Sequence, residues 1–244
     1  SVKPTSPMRL RISAMILVRA TMFLCNVSRR RLWVGDMMKK TALTKQAGMD
    51  GWAFASDRVE AFLTRTGGHL APVTFKVGRR AVQPFAIAPW TDEPLPGVPT
   101  MLKVLRGDFF CAPFGGNAAP FRGEQHPPHG ETACRPWTLR EIAREDDAVT
   151  LHATMQTRTG PGRVDKRLTL RRGHAAVYCE HVLSGFRGPM PIGTHPMLKL
   201  PDREGAGRIS ASAFTQGHVV PEFERPADRG YSWLKYGATF ESLE

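Results

Sequence analysis

Cysteine is scarce in this chain. Cys25, Cys111, Cys134 and Cys179 are scattered, and no two of them form a CxxC pair. That spacing excludes a zinc ribbon and a dense disulfide framework. A reduced, cytoplasmic protein is expected, its cysteines packing as small apolar side chains. Long apolar runs are lacking as well. The stretch from Ala14 to Val27 is broken by Arg19 and flanked by arginines, too short and too charged to span a membrane. No A-x-A cleavage site follows it, so a targeting segment is the lesser alternative to an incidental extension. Acidic residues are in deficit, 22 against 34 Lys/Arg. The imbalance is local, however: residues 1–50 hold ten basic and two acidic residues, and the rest is only mildly basic. Arg29-Arg30-Arg31 comes with no recognition helix or aromatic platform, so neither nucleic acid nor a membrane is an expected partner. Heptads, solenoid-length repeats, Walker and dinucleotide loops and a G-x-S-x-G element are all missing. This removes the nucleotide-dependent and serine-hydrolase classes.

Turn-forming residues are plentiful: 23 glycines and 20 prolines in 244 residues. Apolar residues make up 41%, enough for a core. Many short elements follow, which favours sheet over helix. Residues 1–36 read as a basic extension, disordered or incidental, and 37–244 as the domain, opening at Met37-Met38-Lys39-Lys40. Strands are expected at Trp52–Ser56, Arg58–Thr64 and His69–Val77, where Val59, Ala61 and Leu63 recur with period two. Residues 84–100 carry five prolines and form a loop. Met101–Leu105 reads as a short apolar strand, and 111–130 as an irregular stretch. Four further strands are expected at Trp137–Glu145, Ala148–Gln156, Arg163–Leu170 and Ala175–Ser184. Gly160-Pro161-Gly162 and Arg172-Gly173-His174 punctuate them. The expected fold is an all-β antiparallel sandwich.

Two of the eight histidines sit in unusual settings. His129 closes His126-Pro127-Pro128-His129-Gly130, and His195 lies in Gly193-Thr194-His195-Pro196. Proline and glycine fix a loop backbone and so aim a side chain, as binding loops on rigid scaffolds do. A metal site built from His126, His129 and Cys134 is disfavoured, because two prolines separate the histidines and no fourth ligand is evident. No metal and no cofactor are expected.

The stretch Leu105-Arg106-Gly107-Asp108-Phe109-Phe110-Cys111-Ala112-Pro113-Phe114-Gly115, then His129-Gly130 and Arg135-Pro136-Trp137, resembles the aldose 1-epimerase (galactose-mutarotase-like) superfamily, including its hexose-6-phosphate epimerase branch. Val177–Leu183 followed by Gly193-Thr194-His195-Pro196-Met197-Leu198 is similar to that family's second motif, and Gly67-Gly68-His69-Leu70 to its early turn. The resemblance implies a sandwich of the galactose-mutarotase type holding a sugar or sugar phosphate on one concave face. It implies that His195 is the acid that protonates the ring oxygen, while His129 hydrogen-bonds that oxygen or a neighbouring hydroxyl. It also implies that Arg106 positions hydroxyls or a phosphate, with His126 and Asn117 as further candidate sugar contacts. The family's catalytic base is a glutamate well beyond the second histidine, and the chain is expected to be incomplete there. Glu222 and Glu224 are the available substitutes. The arginine that often follows His-Gly in the phosphate branch falls on Ala133. The implied activity is opening and reclosing of a pyranose ring. The alternative is a non-catalytic carbohydrate-binding or inactive member of the same fold.

Overall fold

Glycine and proline mark where the strands stop, and between them the chain runs back and forth as antiparallel sheet. The computed structural model describes residues 9–17, 42–117, 119–121, 123–203, 213–219 and 237–241. The chain divides into two units, Ser1–Lys199 and Leu200–Glu244. Strands are numbered in chain order. In the first unit, one sheet has five strands in the order β1 (Arg9–Leu17), β11 (Ala176–Ser184), β10 (Gly162–Arg171), β9 (Ala148–Thr157) and β8 (Thr138–Arg144). The other has seven. Its path runs β12 (Gly193–Pro196), β7 (Asp108–Cys111), β5 (Leu70–Val77), β4 (Val59–Thr64), β3 (Met49–Ala55) and β2 (Thr44–Gln46), with β6 (Arg80–Val82) paired to β5. In the second unit β13 (Gly217–His218) pairs with β14 (Thr239–Phe240), and Phe214 meets Phe240 edge-on at 5.9 Å.

The two sheets of the first unit share one core. Val59, Ala61 and Leu63 of β4 face Leu151 and Ala153 of β9 and Leu168 of β10 across it. Each such side chain contributes about 1–3 kcal/mol by leaving water. The architecture is all-β and antiparallel, as the alternating segments imply.

Three inward positions are polar. Lys166 follows Val164 on the core face of β10 and is 2% exposed. His181 of β11 is also 2% exposed, and its ring stacks on Phe110 at 4.0 Å. Asp108 shares the face of Phe110 on β7 and is 6% exposed.

Two expectations differ from the structure. Met101–Leu105 is not a strand: Thr100–Lys103 forms one helical turn. Pro99 lacks the N–H that a ladder needs, and its carbonyl accepts from the N–H groups of Leu102 and Lys103. Within residues 1–36, read from composition as an extension, Arg9–Leu17 pairs with β11 along nine residues. Leu10, Ile12, Ala14 and Ile16 alternate with Arg9, Arg11 and Ser13, a period-two pattern that the charge bias obscured.

Candidate functional site

Strand β7 sends its residues alternately to two faces. Phe110 joins the sandwich core, while Phe109 and Cys111 pack with Met101 and Ala133 on the opposite face. Strand β12 is aligned so that His195 lies opposite Phe109 and Gly193 opposite Cys111. Cross-strand partners share a face, so His195 stands beside Phe109 on the outside of the sheet. The two rings stack at 4.8 Å and 11°. On the other side of Phe109, His69 stacks at 4.3 Å and 12°. Phe114 continues the column, 6.1 Å from His195 and inclined by 26°. It lies over Gly193, where a Cβ would come within 3.1 Å of its ring. Phe114 is 40% exposed and forms the solvent end of the column.

His129 stands across this column. Its ring is 5.0 Å from His195 at 83°, 5.3 Å from Phe114 at 79° and 6.0 Å from Phe109 at 83°. The backbone sets this orientation. His129 has φ +59° and Gly130 φ +76°. The His129 N–H donates to the Gly115 carbonyl at 2.9 Å. Gly130 crosses Ala112 so closely that a Cβ would lie 2.1 Å from the Ala112 carbonyl oxygen, so only glycine fits. The helical turn Glu131–Ala133 follows directly. Thr132 Oγ1 accepts from the Ala112 N–H at 3.1 Å, and Trp137 Nε1 donates to the Thr132 carbonyl at 3.0 Å. The buried Glu131 carboxylate accepts from the N–H groups of Arg158 and Thr159 and pairs with Arg135.

Burial dominates the electrostatics. His69 is fully buried, and desolvation lowers its pKa to about 3. Its Nε2 lies 2.9 Å from the Ala133 carbonyl. A carbonyl only accepts, so Nε2 carries the proton and Nδ1 is a bare acceptor. The pKa of His129 is also lowered, first by burial and then by the charge of His195. His129 is therefore poised to be neutral and to accept a hydrogen bond. Among the described residues, the Nδ1 atoms of His69, His129 and His195 are all buried without a hydrogen-bond partner. Such atoms ordinarily find a donor in water or in a bound hydroxyl.

The structure brings together the two histidines singled out in the sequence and gives the other three candidates partners within the protein. Arg106 is fully buried. Its guanidinium donates to the carbonyls of Ala47 at 2.7 Å and Val104 at 3.2 Å and to Thr91 Oγ1 at 3.2 Å. It ties loops together, with these three donors engaged within the protein. His126 Nε2 pairs with the Glu124 carboxylate at 3.3 Å. Asn117 Nδ2 donates to the Gly115 carbonyl at 2.9 Å, and its own carbonyl accepts from Gln125. Both shape the loop that carries His129. Glu222 and Glu224 lie outside the described residues. Two surface depressions, one walled by Phe54, Glu60, Thr74 and Arg144, the other by Lys45, Asp50 and Arg65, contain no residue of the ring cluster.

His69, Phe109 and Phe114 were not singled out as site residues in the sequence. All three lie inside the motifs that carry the family resemblance, and the period-two reading of Asp108–Cys111 would have placed Phe109 opposite Phe110. Among the described residues, no group of three His, Cys, Asp or Glu is placed to hold a metal ion, and no helix is long and apolar enough to cross a membrane.

The fold and the ring cluster define an all-β sandwich with a histidine pair on the outer face of one sheet. No protein-family model matches the chain, and no curated protein matches it. Among solved structures it is similar to YeaD of Salmonella typhimurium, provisionally named a mutarotase, at 21% identity and a TM-score of 0.39. The match covers 53% of this chain and 42% of that one, so the chain spans less than half the length of that protein.

Proposed function

We propose that this chain binds a sugar ring at His129 and His195 and acts as an aldose 1-epimerase-like isomerase. The observation that supports this reading is the contact of the two imidazoles, 5.0 Å apart and edge to face, although one comes from a loop and the other from strand β12, far apart in the sequence. Each sits in a motif that resembles the epimerase family.

Anomerisation moves two protons. An acid protonates the ring oxygen as the bond from C1 to that oxygen breaks, and a base takes the proton of the C1 hydroxyl as the aldehyde forms. Reclosure on the other face reverses both transfers. His195 serves as the acid, and neutral His129 accepts a hydrogen bond from a sugar hydroxyl. The reaction also needs a carboxylate base. Asp108 and Glu131 are unsuited: Asp108 faces the core, and Glu131 is buried among other partners. Their commitment elsewhere favours a second reading, a non-catalytic carbohydrate-binding protein on the same scaffold.

Polarimetry on freshly dissolved α-glucose or α-galactose separates the two. The expected result is mutarotation above the buffer rate, reduced about 10²–10⁴-fold by His195→Gln. A buffer-level rate together with sugar binding would leave the binding reading. Neither activity nor binding would end both.

A further inference from the structure

We propose that Lys166, in the interior of the sandwich, is a positioning residue for the histidine pair on the outer face of the seven-stranded sheet. Its ammonium nitrogen donates to the Gly68 carbonyl at 2.6 Å and lies 5.0 Å from the centre of the Trp137 ring. Those two contacts hold the supports of both imidazoles.

Gly68 belongs to the turn that delivers His69. His69 stacks behind Phe109, and Phe109 stacks behind His195. Trp137 holds the Thr132 carbonyl through its indole N–H, and His69 holds the adjacent Ala133 carbonyl through Nε2. Residues 131–133 follow His129-Gly130 without a break, so the same turn fixes His129. Gly68 and Trp137 are also packed directly on each other, since a Cβ on Gly68 would lie 2.6 Å from Trp137 Nε1. The Lys166 nitrogen is thus the common point of a support that branches to His195 on one side and to His129 on the other.

The chemistry explains why a lysine occupies a position that the alternation of β10 assigns to an apolar residue. A buried carbonyl at Gly68 needs a donor, and the long Lys166 side chain supplies it from the facing sheet. The charge is costly to bury, which lowers the pKa of Lys166. The charges of Cys179, Asp108 and Cys111 oppose that shift, while His181 lies beside it on β11. An aliphatic residue would pack the core and leave the Gly68 carbonyl unpaired. The lysine therefore serves the turn rather than the core.

The test is proton NMR titration of the His129 and His195 imidazoles, which needs no knowledge of the ligand. In Lys166→Met the two resonances are expected to shift. The His129 midpoint should rise by about half a pH unit, because a loosened turn restores its hydration. Trp137→Phe, which removes the N–H to Thr132, should move His129 in the same direction and serves if Lys166→Met does not fold. Leu170→Val and Leu170→Ala, core substitutions on the same strand, bracket the accompanying loss of melting temperature. They are expected to leave both imidazoles at their wild-type positions. Wild-type titrations in folded Lys166→Met and Trp137→Phe would overturn the proposal. So would equal shifts in a Leu170 variant of matched stability, since the effect would then be general loosening.

Discussion

A guanidinium offers donors in a fixed fork, and those of Arg106 are turned toward Ala47, Val104 and Thr91. Arg106→Met leaves buried acceptors unpaired and is expected to cost about 2–4 kcal/mol of unfolding free energy in a urea titration. Sugar affinity, measured on the folded variant, is expected to stay at the wild-type value. A large loss of affinity with unchanged stability would return Arg106 to the site. The buried titratable residues make a second test. His69 falls from 6.5 to about 3, so its contribution is fully present above pH 6.5 and is lost as pH falls toward 3. At about 1.4 kcal/mol per unit, that is on the order of 5 kcal/mol. His181 and His129 are lowered in the same sense. Asp108 runs the other way: raised from 3.8 to about 6, it favours the folded state at low pH and loses that contribution as pH rises through 6. One carboxyl, on the order of 3 kcal/mol, does not offset three histidines. Unfolding free energy is therefore expected to fall between pH 6.5 and pH 4, and a flat or rising profile would contradict the burial of these groups.

The loop that carries His129 depends on its backbone geometry. Gly130→Ala places a methyl against the Ala112 carbonyl at a positive φ. It is expected to cost more than 1 kcal/mol, roughly, and to displace His129, visible as a shifted imidazole resonance. An unchanged spectrum would show that the crossing of Gly130 and Ala112 does not hold the histidine. At the sheet edge, β1 covers the backbone donors of β11. Deleting residues 1–36 is expected to lower the melting temperature and to promote association through the bared edge, which light scattering would detect. Most strands were legible because they alternate between turns: Ala148–Thr157, Gly162–Arg171 and Ala176–Ser184 lie within a residue or two of where periodicity puts them. Lys166 puts a charge among the inward apolar residues of β10, and its ammonium reaches the Gly68 carbonyl across the core. The helical turn at Thr100–Lys103 was not legible, since a five-residue stretch with four apolar positions suits either state, and the Pro99 carbonyl closes the turn.

At the scale of the whole molecule, the fold of the first unit brings the His129 loop against strand β12. The His129–His195 pairing was legible because each histidine stands beside proline and glycine. The ring column beneath them was not, because stacking of His69 on Phe109 depends on strand order, and β5 and β7 are neighbours only in the folded sheet. Local spacing likewise could not show that Arg106 is spent on backbone carbonyls. Among the described residues, the ring cluster holds three buried imidazole nitrogens that have no hydrogen-bond partner. The most direct measurement follows the His129 and His195 imidazole resonances while glucose or galactose is added to the wild-type chain. Saturable shifts of both resonances with one shared dissociation constant, lost in Phe114→Ala or His129→Gln, are the expected result. Resonances that stay fixed while the sugar is bound elsewhere, or at any sugar concentration, would contradict a sugar site on this face.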